Sequence, residues 1–225
     1  MARKDDTASP TSERILRAAE EVVLRDGVAH LTLEAAASEA GLSKGGVLYH
    51  FPSRTALVKA MVHRLGERFD QDLEAVADHD GRPGSFTRAY LRATIDPPPH
   101  ADAARDERLG AALLAAISAD PDLLAPLVEY FARWQQALDE DGLEPPGRAT
   151  VVRLAADGLW LLDLVGLASL SPAQRAGAVA ELKRLAQCPR DDGGGGPGEL
   201  GGQGAHRVDQ RADDQRAGNN YGSER

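Results

Sequence analysis

A single cysteine, Cys188, stands among 225 residues, so no disulfide can close within the chain. Aromatic residues make up only 4%, and the apolar core must therefore come mainly from alanine, leucine and valine. The six histidines show no metal-ligand spacing, and Asp78-His79-Asp80 falls in a polar turn where solvation accounts for it. No metal and no cofactor are expected. The most apolar stretch, residues 148–168, carries Arg153, Asp157 and Asp163, which cost too much in lipid for so short a segment, so no membrane span is expected. The first ten residues, MARKDDTASP, lack the apolar run of a signal peptide. With one cysteine and no targeting segment, the simplest expectation is a cytoplasmic protein.

Two stretches imitate catalytic motifs. Gly41-Leu42-Ser43-Lys44-Gly45 matches G-x-S-x-G, but a helical pattern precedes the serine where a nucleophile elbow needs a strand. Gly193, Gly195 and Gly198 match a lone G-x-G-x-x-G that neither strand nor amphipathic helix flanks. We expect no enzyme.

The informative stretch runs from Leu33 to Arg54, LEAAASEAGLSKGGVLYHFPSR. Leu33 to Ala40 is rich in alanine and glutamate, strong helix formers, with Thr32 as N-cap and Glu34 in the first turn. Gly41 supplies the left-handed position that ends a helix. Ser43 caps a second helix, Lys44 to about His50, which Pro52 stops. Two helices joined by a short glycine-containing turn form a helix-turn-helix, whose second helix fits the DNA major groove. Charge agrees: Ala40 to Gly66 holds Lys44, Arg54, Lys59 and Arg64 and no acid. With those four charges removed from the chain's −9, the remainder carries −13. Such a chain suits one face offered to phosphate rather than a general coating of nucleic acid.

Residues 12–66 resemble the N-terminal domain of the TetR family of bacterial transcriptional regulators. The matching residues are Arg14-Ile15-Leu16, Ala18-Ala19, Gly27, Thr32-Leu33, Ala40-Gly41-Leu42-Ser43-Lys44-Gly45, Leu48-Tyr49-His50-Phe51, Ser53-Arg54 and Leu57. Arg54 departs from the lysine more usual in the family, and both can reach a phosphate. The resemblance implies double-stranded DNA with a palindromic operator as partner. The candidate contacts are Thr32, Ser43, Lys44, Gly45, Gly46, Val47, Tyr49, His50 and Arg54. Gly45 and Gly46 would let the helix backbone approach DNA closely, and Val47 is the candidate for a thymine methyl. Leu48 and Phe51 read as core.

Around this motif, residues 1–10 form a loose arm, and Thr11 or Ser12 caps a first helix that ends at Asp26-Gly27. Leu57, Met61, Leu65, Phe69, Leu73 and Val76 recur every three or four residues, describing one long helix that leaves the DNA-binding domain for a second domain. Further helices are expected over 85–95, 103–118, about 120–140, 148–168 and 172–187. Pro126 requires a kink or a start near Ala125. The 148–168 helix is apolar nearly all round, so one side needs a partner chain. We expect a two-fold homodimer through the last two helices, with Leu154, Leu161, Leu162, Val165, Leu182 and Leu185 in the seam. Residues 189–225, glycine-rich and then mixed in charge, read as a disordered tail.

The expected fold is all-α: a three-helix helix-turn-helix domain (11–66, motif 33–52), then a long helix into a helical domain (67–188) for ligand binding and dimerisation. The resemblance implies a repressor released from DNA by a small-molecule effector. Candidate pocket residues are Phe86, Tyr90, His100, Trp134, Asp157 and Trp160. The alternatives are a ligand-independent activator or architectural factor, and a helical interaction module without DNA binding.

Overall fold

The computed structural model describes residues 9–100, 102–167 and 170–187. The expectations for the N-terminal arm up to residue 8 and for the 189–225 tail lie outside them. All regular structure among the described residues is helical: α1 (Pro10–Asp26), α2 (Leu33–Ala40), α3 (Lys44–His50), α4 (Arg54–Ala75), α5 (Ser85–Ile95), α6 (Ala103–Ala119), α7 (Ala125–Asp139), α8 (Arg148–Leu164) and α9 (Pro172–Leu185), with short 3-10 turns at Val28–His30 and Pro121–Leu124.

Local chemistry explains the boundaries. Helix α1 starts earlier than Thr11 or Ser12 would set it. Pro10 takes the first helical position, where its missing N–H costs nothing, and the Ser9 hydroxyl accepts from Ser12 N at 3.2 Å. Thr32, Ser43 and Ser53 cap α2, α3 and α4 by accepting from Ala35 N, Gly46 N and Ala56 N. Gly41 ends α2 at φ +64°. Helix α7 begins at Ala125, with Pro126 in its first turn, so the proline introduces no kink inside the helix. Helix α8 stops at Leu164, short of residue 168, because Gly166 turns left-handed at φ +68°.

One apolar core joins Ile15, Ala19 and Val22 of α1 to Ala36, Val47, Phe51, Leu57 and Met61, and runs on into Leu109, Leu113 and Ile117 of α6. Helix α4 crosses from this core into a second, aromatic one built on Leu73, Tyr90, Tyr130 and Trp134. Helix α5 begins at a glycine and has no capping side chain of its own. The Asp141 carboxylate, from the turn after α7, takes that role by accepting from Phe86 N at 2.9 Å, Thr87 N at 2.8 Å and the Thr87 hydroxyl at 2.6 Å.

Close approach matters most at Gly66. A Cβ there would lie 2.4 Å from the Tyr130 ring, so α4 and α7 touch at this point only because the side chain is absent. The Tyr130 hydroxyl donates to the His63 carbonyl at 3.1 Å and fixes the contact. We expect Gly66→Ala to destabilise the protein by about 1–3 kcal/mol through overpacking. Tyr130→Leu should recover most of that loss in the double variant; urea denaturation checks both, and additive losses would contradict the contact.

Helix α8 turns Val152 and Ala156 into the protein and leaves Val151, Leu154, Leu161 and Val165 exposed, Leu154 at 62%. With Gly158 between them, these residues are spaced three, four, three and four apart, the repeat of a helix seam. Leu162 is half-buried. Leu182 corrects the expected seam: it packs inside its own subunit with Leu91, Val152 and Ala156, and Leu185 rests half-buried on the same cluster. Among the described residues no helix is long and apolar enough to cross a membrane.

Candidate nucleic-acid interface and ligand cleft

Helix α3 has two faces. Val47 is wholly buried in the core, with Phe51 just beyond the helix on the same side. On the other side Lys44, Gly45, Leu48 and Tyr49 lie open, Tyr49 with 77% of its surface exposed. Two expectations change. Val47 cannot reach a base, and Leu48 is exposed at 39% where a core position was expected. Packing decides this and not the helical period: the core covers Val47 and Phe51 and leaves Leu48 open. His50 is half-buried and packs edge-on to Tyr49, ring centroids 5.0 Å apart.

A Cβ at Gly45 would meet nothing nearer than 3.9 Å, and one at Gly46 nothing nearer than 3.5 Å. The folded chain does not itself require either glycine, although each weakens the helix by about 1 kcal/mol. Thr32 and Ser43 are exposed, and their oxygens accept as caps while each hydroxyl hydrogen stays free to donate.

The basic window is less free than its composition implies. Lys44 Nζ lies 2.5 Å from the Glu34 carboxylate and holds that group below the usual carboxylate range. Arg64 turns inward to Glu13 and to Glu20 at 3.6 Å. Arg54 is half-buried, with its guanidinium donating to the Leu31 and Val28 carbonyls, both at 2.8 Å. Lys59 makes no ion pair among the described residues.

Arg64 belongs to a network the sequence reading missed. Glu20, 1% exposed on α1, lies 2.9 Å from Arg105 of α6 and 3.9 Å from Arg68 of α4. Arg68 also pairs with Asp106, and Arg105 with Glu21. The ions join the first helix to α4 and α6. A sequence signal existed: Glu20 falls on the same stripe as Ile15, Leu16, Ala19 and Val23.

A second feature is a cleft of about 460 Å³ between α4, α5, α7 and the turn after α4. Of the residues expected to line a pocket, Phe86 and Trp134 do. Tyr90 is buried behind them, ring centroids 5.4 Å from Phe69 and 6.1 Å from Trp134, and its hydroxyl donates to Asp157 at 2.9 Å. Burial raises the Asp157 carboxyl despite that bond and the nearby Arg153, and it raises the Tyr90 hydroxyl as well. His100 and Trp160 are exposed and line no part of the cleft. Three carboxylates missed in the sequence do: Asp70, Glu74 and Asp78. Asp70 pairs with Arg133 and accepts from Trp134 Nε1 at 2.8 Å; Arg92 and Arg88 hold Asp78 below the usual range. Among the described residues Glu74 has His79 as its sole ion-pair partner, at 3.5 Å.

Residues 15–61 match the family model for bacterial regulatory proteins of the tetR family, and residues 84–187 match the tetracycline repressor-like C-terminal domain. The chain belongs to the TetR family. Over 80 residues it is 33% identical to the HTH-type transcriptional regulator TtgR of Pseudomonas putida, covering 36% of this chain and 38% of that protein. Over 72 residues it is 36% identical to the HTH-type transcriptional repressor BepR of Brucella suis, covering 32% and 34%. The TetR-family chain thus aligns with little more than a third of these relatives' length. A solved TetR-family regulator from Rhodococcus sp. shares the fold with a TM-score of 0.62 at 19% identity, over 79% of this chain and 97% of that one. The multidrug binding protein EbrR in complex with ethidium gives 0.57 at 25%, over 79% and 99%. TtgR, BepR and the Rhodococcus protein are transcriptional regulators, and EbrR is a multidrug binding protein.

Proposed function

We propose that the protein is a homodimeric, cytoplasmic transcriptional regulator that binds a palindromic operator through α3 and leaves it when a small molecule fills the cleft. The exposed α3 face carries the reading: a helix pinned by a fully buried Val47 holds Tyr49, Lys44 and Leu48 in the open. Lys44 exchanges Glu34 for a phosphate, Tyr49 packs against the backbone, and Leu48 takes the thymine-methyl role first assigned to Val47. The exposed α8 seam pairs two copies and sets the spacing of their α3 helices at one DNA turn, about 34–36 Å. An effector that binds better to a form with another spacing, reached by swinging α4, weakens operator binding by linkage.

The cleft suits a planar cation. The aromatic residues Trp134 and Phe86 line it, and Glu74 carries a negative charge with little compensation. EbrR has been solved with ethidium and with malachite green, which supports this class. A gel shift on the DNA upstream of the protein's own gene tests the function. We expect a salt-sensitive shift that Lys44→Ala with Tyr49→Ala abolishes, at unchanged helicity and mass. A shift that survives both changes contradicts the docking. For the cleft, ethidium should quench tryptophan fluorescence and release the DNA, with Glu74→Gln weakening both effects about tenfold. Quenching without release leaves a regulator that ignores its ligand.

A further inference from the structure

We propose that Arg54 is a positioning residue for operator binding and not a phosphate contact: it fastens the turn before α2 to the start of α4, so the reader moves with α4. The proposal rests on the DNA-binding reading above.

Arg54 is the first residue of α4, held there by the Ser53 cap. Its side chain runs back to the connection between α1 and α2. Nε–H donates to the Leu31 carbonyl and an Nη2–H to the Val28 carbonyl, each at 2.8 Å, across 23 and 26 residues of sequence. Leu31 is fully buried, and the residue after it is Thr32, whose hydroxyl caps α2 through Ala35 N at 3.0 Å. One guanidinium therefore sets the register between the entry to α2 and the entry to α4. Apolar contact through Leu57 holds the same two parts together but is non-directional and allows sliding. Two bonds from a planar fork do not. A lysine ammonium carries the same charge on a flexible stem and cannot reproduce the fork.

The consequence follows from where α4 goes. Its first half packs in the core of the reader through Leu57, Val58 and Met61, and its second half lines the cleft through Asp70, Leu73 and Glu74. A displacement begun at the cleft reaches α2 and α3 as a rigid movement only if the joint at Arg54 holds.

Arg54→Lys tests the joint, because it keeps the charge and loses the fork. Hydrogen exchange on the free full-length variant should speed up in residues 28–36 and at the first turn of α4, with the rest of the chain unchanged. Unchanged exchange there overturns the joint. Affinity is then measured at several salt concentrations, well below melting, on a duplex that the wild type selects from a random pool. We expect about a tenfold loss with the salt slope unchanged, whereas Lys44→Ala, which removes a phosphate contact, lowers the slope by about one. Full affinity in Arg54→Lys, together with a slope lowered by about one in Arg54→Met, identifies a phosphate contact and overturns the proposal. Full affinity in both variants identifies a part that only stabilises the fold and overturns it too. A wild type that binds no duplex at all sinks the DNA-binding reading instead, and exchange still decides the joint.

Discussion

Glu20→Ala should destabilise the protein by about 3–5 kcal/mol, the usual loss when one member of a buried ionic group is removed. At roughly 2–4 °C per kcal/mol for a chain of this size, the melting temperature falls by about 10 °C. Glu20 is 1% exposed, with Arg105 at 2.9 Å, Arg64 at 3.6 Å and Arg68 at 3.9 Å. Without it, three guanidinium groups face one another, compensated only from the rim by Glu13, Glu21 and Asp106. The exposed pair Arg184–Glu181 gives the contrast: its side chains are more than half in solvent, and breaking it should cost far less. Calorimetry of both variants decides the matter. A Glu20→Ala loss no larger than the Arg184→Ala loss means the carboxylate is in effect solvated.

Leu154→Glu with Leu161→Glu should leave the subunit folded and make it monomeric. Both leucines face solvent in the single subunit, 62% and 41% exposed, so the change removes little from its own core. In the proposed dimer they would lie on the seam with Val151, Gly158 and Val165, where four glutamates would meet at the axis. A monomer engages one half-site at a time and loses the effective concentration of the second reader, so operator affinity falls by roughly 10²–10⁴. Sedimentation, circular dichroism and a gel shift on one preparation separate the possibilities. A variant still dimeric, or a monomer binding as tightly as the wild type, would place the interface elsewhere.

The helix-turn-helix was legible because its signals are local. Thr32, Gly41, Ser43 and Ser53 each cap or end a helix through bonds spanning a few residues, and each sits at the expected boundary. What sequence hid depends on which way a side chain turns and on partners far along the chain. Val47 and Leu48 are neighbours of similar polarity, and only packing against α1 and α4 shows which one is buried. Arg54 and Arg64 read as a basic surface because their partners, Leu31 and Glu13, lie 23 and 51 residues earlier. Leu182 fits a dimer seam by pattern, yet α5 and α8 already cover it. The cleft carboxylates escaped notice for a similar reason: Asp70, Glu74 and Asp78 look like the solvated side of an amphipathic helix and its exit until α7 brings Trp134 and Arg133 alongside.

Selection from a random duplex pool, followed by the stoichiometry of the selected complex, tests most directly whether paired subunits present two α3 helices to one DNA face. We expect an enriched inverted repeat, its half-sites one helical turn apart, bound by two chains. A single asymmetric site bound by one chain, or no enrichment at all, would contradict that arrangement.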